Sequence, residues 1–259
     1  MRALGTNGQL FFKAWKESRA RFLLSAGTIA TLCTVVVLFN VQMRNNPGQI
    51  PHGFKALTYN EHVYHFIYSG TAKGLFSVLV LFIGLGGLLR ERSRGTAPFT
   101  LALPVSRTRL ILSQITVGSL EVIAIAALPL LLVPTLSPLV HEAYPASESL
   151  HFALLWIAGG LMIYAASFLC SVLFAGDYTA LIIAFLTLFG VPLIARLPGV
   201  EELQVNFLMT MGEFGTMHWN SEHTLLLPSP MPWTRVLVFC GLTAAFLWMA
   251  LMATNRQEF

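Results

Sequence analysis

The 259-residue chain is 55% hydrophobic and only 11% charged, and its mean hydropathy is +0.68. Soluble domains carry about 25% charged residues, so this composition excludes a water-soluble globule of the same size. A net charge of +4 could indicate nucleic-acid binding. The cations, however, flank apolar segments, which is typical of orientation in a membrane. We therefore predict a membrane protein whose partner is lipid, with no nucleic acid.

A membrane-spanning helix needs about 20 mostly apolar residues, and six segments of the chain meet this requirement. Because backbone polar groups in lipid must be satisfied within the spanning element, we expect an all-α, polytopic protein with six transmembrane helices. The predicted spans are 22–40, 70–89, 110–134, 151–174, 178–195 and 233–253. No internal repeat is visible, so residues 1–259 are predicted to form a single transmembrane domain.

The segment before the first span, residues 8–21, is predicted to form an amphipathic elbow helix. Aromatic and basic side chains share it at helical spacing, and those assigned to the membrane interface are Phe11, Lys13, Trp15, Lys16 and Arg19. Such a helix lies at the headgroups with its aromatic rings buried. The alternative is a simple basic anchor for the first span, which is a routine feature. The first apolar run is too long for a cleavable signal peptide and lacks a cleavage site after it.

Residues 90–109, between the second and third spans, are predicted to contain a short rigid helix. Gly95 ends the incoming helix, and Thr96 is a good N-cap. Pro98 suits a first turn, and Pro104 ends the short helix. Ser106 can then cap the third span.

The apolar residues of this short helix need a covering surface. Phe99, Leu101 and Leu103 are too apolar for a solvated loop. They either cover the ends of the neighbouring spans or dock into a soluble partner. The residues alone leave both interpretations open.

The loop also carries a recognisable pattern, Glu-Arg-x-x-Gly-Thr followed by Leu-x-x-Pro-x-Ser-Arg. The pattern is formed here by Glu91, Arg92, Gly95, Thr96, Leu101, Pro104, Ser106 and Arg107. It resembles the loop between the second and third helices of ABC-2 type ABC transporter permeases. The six spans, the elbow and the long loop before the last span are also similar to that family.

The resemblance implies a role for these residues. Residues 90–109, including Phe99, would form the coupling helix that contacts an ABC ATPase subunit. The chain would be the permease subunit of a split exporter, working as a homodimer or as a heterodimer with a related permease. No Walker A pattern occurs in the sequence. We therefore expect no enzyme activity, catalytic residue, metal or cofactor in this chain, and we place ATP and Mg²⁺ in the partner subunit.

Positive charge predicts the orientation of the chain. Eleven of the sixteen Lys and Arg residues precede the first span, lie in or beside the loop 90–109 or follow the last span. Because basic residues accumulate on the cytoplasmic side, we predict a multi-pass protein of the cytoplasmic membrane with both termini inside. The exterior loops would be 42–68, 137–150 and 196–232. The apolar residues 203–211 are expected to enter the membrane as a re-entrant segment.

Glu121 lies midway along the third predicted span, and an ionisable group at that depth is a candidate functional residue. It could line a substrate path or pair with Gln114. A structural, hydrogen-bonded glutamate, or one shifted towards the cytoplasm, is the alternative interpretation.

Two other classes of protein compete with the transporter. Glu201, Glu202, His218 and His223 faintly resemble the arrangement of an intramembrane glutamate–histidine protease. The arginine that such proteases place after the glutamates is missing, and the residues lie in a predicted exterior loop. A purely structural anchor for an ATPase is the third class.

Overall fold

The computed structural model describes residues 2–45, 58–86, 106–174, 177–186, 217–219, 226–228 and 233–256. This part of the chain is helical apart from one short hairpin. The helices are α1 (Arg2–Asn45), α2 (Tyr59–Val63), a π-helix (Tyr64–Ser69), α3 (Thr71–Gly84), α4 (Arg107–Ala126), α5 (Leu128–Leu136), a 3-10 helix (Ser137–Val140), α6 (Ala146–Leu173), α7 (Asp177–Phe185) and α8 (Trp233–Arg256). Strands β1 (Met217–Trp219) and β2 (Leu226–Pro228) pair antiparallel, with His218 opposite Leu227.

Five helical stretches of the described residues are long and apolar enough to cross a membrane. They are Gly8–Phe39, Tyr59–Gly84, Thr108–Val140, Ala146–Leu173 and Val236–Thr254. The prediction of a helical, multi-pass membrane protein is confirmed in this form. The sixth predicted span, 178–195, begins in α7, but residues 187–216 lie outside the described part, so the count of six stays a prediction.

α1 joins the predicted elbow and the first span into one helix. Its 44 residues make it about 66 Å long at 1.5 Å per residue, against about 30 Å for the hydrocarbon core of a bilayer. The elbow as a separate element is therefore not confirmed. The buried positions Leu10, Ala14 and Ser18 recur every four residues, so one face of the N-terminal half packs against the bundle.

The second span begins earlier than predicted. Thr58 and Glu61 form a reciprocal capping box that starts α2, and the π-helix carries the chain on to α3. A Cβ on Gly70 would collide with the carbonyl oxygen of His65, so the junction between the π-helix and α3 requires glycine. Residues 59–68 are thus helical and belong to the span, which corrects the predicted exterior loop 42–68.

The third span is interrupted at Ala127, between α4 and α5. Pro129 has no N–H to donate to the carbonyl of the preceding turn, which explains a break at this point. The chain then continues to Val140 through the 3-10 helix, and α6 begins at Ala146. The predicted exterior loop 137–150 is therefore shortened from both sides.

α6 is the central helix and packs against α3, α4, α5, α7 and α8. Phe76 of α3 and Trp156 of α6 are fully buried, and their rings stack at 4.7 Å. Gly160 faces the same ring, where an added Cβ would lie 2.7 Å from Phe76. Glycine therefore serves close packing within the chain at this position.

Candidate functional site

Five polar side chains from three helices meet near the end of the bundle that contains the start of α4. We name them the Glu121 site, which consists of Ser18 and Arg21 of α1, Gln114 and Glu121 of α4, and Tyr164 of α6. The N-terminal half of α1, the C-terminal end of α3 and the middle of α4 come together here, so the site lies near both ends of the segment 87–105.

Glu121 is 2% exposed and faces α1. The Ser18 hydroxyl hydrogen-bonds with the Oε1 atom of Glu121, and it also lies 3.1 Å from the carbonyl oxygen of Ala14. The predicted pairing with Gln114 is replaced by this contact between helices, because one turn of α1 brings Ser18 against Glu121. The Oε2 atom of Glu121 has no hydrogen-bond partner among the described residues.

Arg21 binds the end of α3. Its Nη1 atom donates to the carbonyl oxygens of Phe82 at 3.1 Å and Ile83 at 3.4 Å, and its Nη2 atom donates to that of Gly86 at 3.2 Å. The last carbonyls of a helix lack partners within the helix and carry partial negative charge. A guanidinium group with several donors is well suited to this position, so Arg21 fixes the end of α3 to α1.

Tyr164 closes the other side of the site. Its hydroxyl donates to the carbonyl oxygen of Gln114 at 3.2 Å, and it lies so close to Gly118 that an added Cβ there would collide with it. Gly84 likewise lies against α6, where an added Cβ would be 2.7 Å from the Cβ atom of Ser167. Small residues in α3 and α4 therefore allow these helices to approach α6 closely.

A cavity of about 30 Å³ lies in the middle of the Glu121 site. Its lining includes Ser18, Arg21, Gln114, Glu121 and Tyr164. A buried water needs at least about 10–15 Å³ measured in this way, so the cavity has room for one or two water molecules. This volume does not fit an organic substrate. The role of Glu121 in a substrate path therefore stays a prediction.

Most of the predicted coupling residues lie outside the described part of the chain. They are Glu91, Arg92, Gly95, Thr96, Phe99, Leu101 and Pro104. Ser106 occupies the predicted position immediately before α4, and its carbonyl oxygen accepts from the amide of Arg109 at 3.0 Å. Its hydroxyl makes no cap hydrogen bond. Arg107 begins α4, and its side chain also lies outside the described atoms.

The predicted interfacial residues all lie on the first half of α1. Phe11 and Trp15 are 40% and 36% exposed, Lys16 and Arg19 are exposed, and Lys13 pairs with Glu17 at 3.6 Å. These side chains point away from the bundle, as an interfacial role requires.

A second polar region lies at the opposite end of the bundle. We name it the Tyr68 cluster, which consists of Tyr59, Tyr68, Ser137, Tyr144 and Ser149. The Tyr59 hydroxyl lies 2.6 Å from Ser137 Oγ, and the Tyr68 hydroxyl donates to Ser149 Oγ at 3.1 Å. Burial raises the pKa of Tyr144 well above its ordinary value, and the neighbouring Tyr68 and Glu148 raise it further by a smaller amount. The phenol is therefore neutral at physiological pH.

Aromatic rings cover the Tyr68 cluster. The ring of Tyr68 stacks on Phe152 at 4.2 Å and meets Trp156 edge-on at 6.3 Å. All three rings are fully buried.

Sequence reasoning missed the roles of Ser18 and Arg21. Helical spacing from Ala14 places Ser18 on the apolar face of residues 8–21, but this pattern does not reveal its contact with Glu121. Arg21 was counted only as a positive charge before the first span. Its partners at the end of α3 are more than 60 residues away in sequence, and no local pattern predicts this contact.

The protease-like residues are mostly outside the described ranges. Only His218 is described, in the middle of β1. Among the residues that the structure describes, no group of three His, Cys, Asp or Glu side chains could hold a metal ion.

No family model matches the chain, and a search of curated proteins finds no match.

Proposed function

We propose that the chain is the membrane-spanning permease subunit of an ABC-2 type ABC transporter. It would work as a dimer and export its substrate with energy from a separate ATPase subunit. The single feature that carries this proposal is the pattern from Glu91 to Arg107, which resembles the coupling loop of that family. With the coupling loop on the cytoplasmic side, the Glu121 site and both termini also face the cytoplasm.

The position of this loop in the bundle supports the proposal. Residues 87–105 connect the end of α3 with the start of α4, and both helices belong to stretches that are apolar enough to cross a membrane. A loop between two such helices emerges at the membrane surface, where a soluble ATPase can reach it.

α1 provides a physical route for coupling. Arg21 binds the end of α3 before the loop, and Ser18, three residues earlier, bonds to Glu121 in the helix that follows the loop. One segment of α1 therefore holds the helices on both sides. If ATPase docking shifts the loop, these contacts would pass the movement to α1, a long helix that reaches the opposite end of the bundle.

The direct test is to co-express the chain with the ABC ATPase subunits encoded in the same genome, beginning with any encoded beside its gene, and to measure binding and ATP hydrolysis in nanodiscs. We expect the chain to bind the ATPase and to increase its turnover. Burial of one large apolar side chain contributes about 2 kcal/mol, so Phe99→Ala should weaken binding by about thirtyfold. Arg107→Glu should reduce binding by reversing a charge at the same surface.

Leu131→Ala is the control, since Leu131 is 62% exposed on α5 and far from the loop. This variant should bind and stimulate the ATPase like the original chain. The proposal fails if the ATPase does not bind, or if Phe99→Ala and Arg107→Glu behave like the control.

A further inference from the structure

Two buried oxygen atoms without partners belong to residues that line the same small cavity. They are the Oε2 atom of Glu121 and the Oε1 atom of Gln114, and neither has a hydrogen-bond partner among the described residues. Both atoms are acceptors in this arrangement. A buried, unsatisfied acceptor costs free energy, so two of them around one cavity indicate a ligand that donates hydrogen bonds.

The size of the cavity limits that ligand. Its volume is about 30 Å³, which is enough for one or two water molecules and for little else. A water molecule has two hydrogens and can donate one to each of the two oxygens. Buried waters typically bridge polar groups in this way.

The charges around the cavity favour water over a cation. Glu17 and Glu121 also line the cavity, but Glu17 pairs with Lys13 at 3.6 Å, and the carbonyl end of α3 is already bound by Arg21. The guanidinium of Arg21 lines the same cavity and repels a second positive ion at this distance. Tyr164, which also lines it, is uncharged when its hydroxyl donates to Gln114.

We propose that the cavity is a binding site for a water molecule that bridges Glu121 Oε2 and Gln114 Oε1. The water completes the hydrogen bonds of Glu121, whose other oxygen is bound by Ser18. The contact between α1 and α4 is therefore hydrated inside the bundle. This inference does not depend on the proposed transport function.

Water-edited solid-state NMR of the full chain in lipid bilayers tests the proposal. With glutamate, glutamine, valine and isoleucine labelled in ¹³C and ¹⁵N, the Glu121 Cδ signal is assigned by its loss in Glu121→Gln. We expect magnetisation from water to reach this carbon quickly. The methyl carbons of the buried residues Val122 and Ile125 set the slow baseline.

Two variants remove one acceptor of the bridge. Gln114→Leu and the more flexible Gln114→Met should reduce transfer to Glu121 Cδ to the baseline. Thr116→Val is the matched control, because Thr116 is exposed on the same helix and its hydroxyl bonds to its own backbone. This variant should leave the transfer unchanged.

Three results would overturn the proposal. The first is baseline transfer in the original chain. The second is transfer that is unchanged in Gln114→Leu and Gln114→Met, since a carboxyl proton alone would then explain it. The third is a direct contact between the Gln114 amide nitrogen and Glu121 Cδ, or a Glu121 signal that moves with sodium or ammonium concentration, because either would place another donor in the cavity.

Discussion

At the Glu121 site, an arginine and a glutamate from different helices hold the bundle together around a cavity of about 30 Å³. At the Tyr68 cluster, neutral hydroxyl groups join the helices beneath stacked aromatic rings. Both ends bury polar groups, but the first does so with Glu121 and Arg21 around a cavity, and the second with hydroxyl groups beside stacked rings. One helical bundle therefore joins its helices through ionisable side chains at one end and through hydroxyl and aromatic groups at the other.

The difference matters for movement. Closely packed aromatic rings lose contacts with any displacement, so the Tyr68 end should be rigid. Polar contacts that include water can exchange partners at lower cost, so the Glu121 end should yield first. The following predictions test this difference, beginning with the largest expected effect.

Phe76→Ala should be the most destabilising change. Phe76 is fully buried and stacks on Trp156, and such truncations typically cost about 3–5 kcal/mol of unfolding free energy. Reversible unfolding by SDS titration in mixed micelles measures the change. Phe82→Ala is the control in the same helix, where the side chain is 46% exposed, and it should cost far less. Equal losses would mean that the ring stack does not hold this end together.

Gly84→Ala should cost about 2 kcal/mol, within the usual range for overpacking. Its Cβ would lie 2.8 Å from the carbonyl oxygen of Tyr164, and backbone atoms of α6 cannot move aside easily. The same change at Gly74, where an added Cβ meets no atom within 4 Å, should be neutral or stabilising because alanine favours helix. The same titration compares the two variants. A neutral Gly84→Ala would show that α3 and α6 are loosely packed at the Glu121 end.

Arg21→Ala should loosen the end of α3 without unfolding the bundle. The carbonyl oxygens of Phe82, Ile83 and Gly86 lose the guanidinium donors of Arg21, at a cost of about 1–2 kcal/mol. Hydrogen exchange should become faster for the backbone amides of residues 82–86. Arg19→Ala removes an equal charge from the exposed face of the same helix and should change nothing there. Equal exchange in both variants would mean that charge near the headgroups, and no specific contact, orders this segment.

Hydropathy predicted where the membrane helices lie, but it could not predict how they end or meet. Apolar composition located the first span, yet α1 extends from Arg2 without the predicted break, because helical spacing alone does not separate an elbow from a continuing helix. The break at Ala127 had a visible signal in Pro129. The helical start at Tyr59 depends on the capping box of Thr58 and Glu61. A search for apolar segments does not detect this local pattern.

The candidate site was predicted only in part. The depth of Glu121 in its span indicated that the carboxyl group must have a polar partner. Its partner, Ser18, is 103 residues away in sequence, so only the packing of α1 against α4 reveals it. The coupling pattern around Pro104 was visible in the sequence, and its structure lies outside the described residues.

The most direct measurement compares ATPase stimulation in two hydroxyl deletions at opposite ends. Ser18→Ala removes the bond to Glu121, and Tyr59→Phe removes the bond to Ser137. Each should cost about 1 kcal/mol of stability, so both variants should fold. If α1 transmits the movement of the coupling loop, Ser18→Ala should lower stimulation of the partner ATPase at least about fivefold, the lower end of ordinary coupling. Tyr59→Phe should leave it unchanged. Equal stimulation of the ATPase by the two variants, or a larger loss of stimulation in Tyr59→Phe than in Ser18→Ala, would contradict this account.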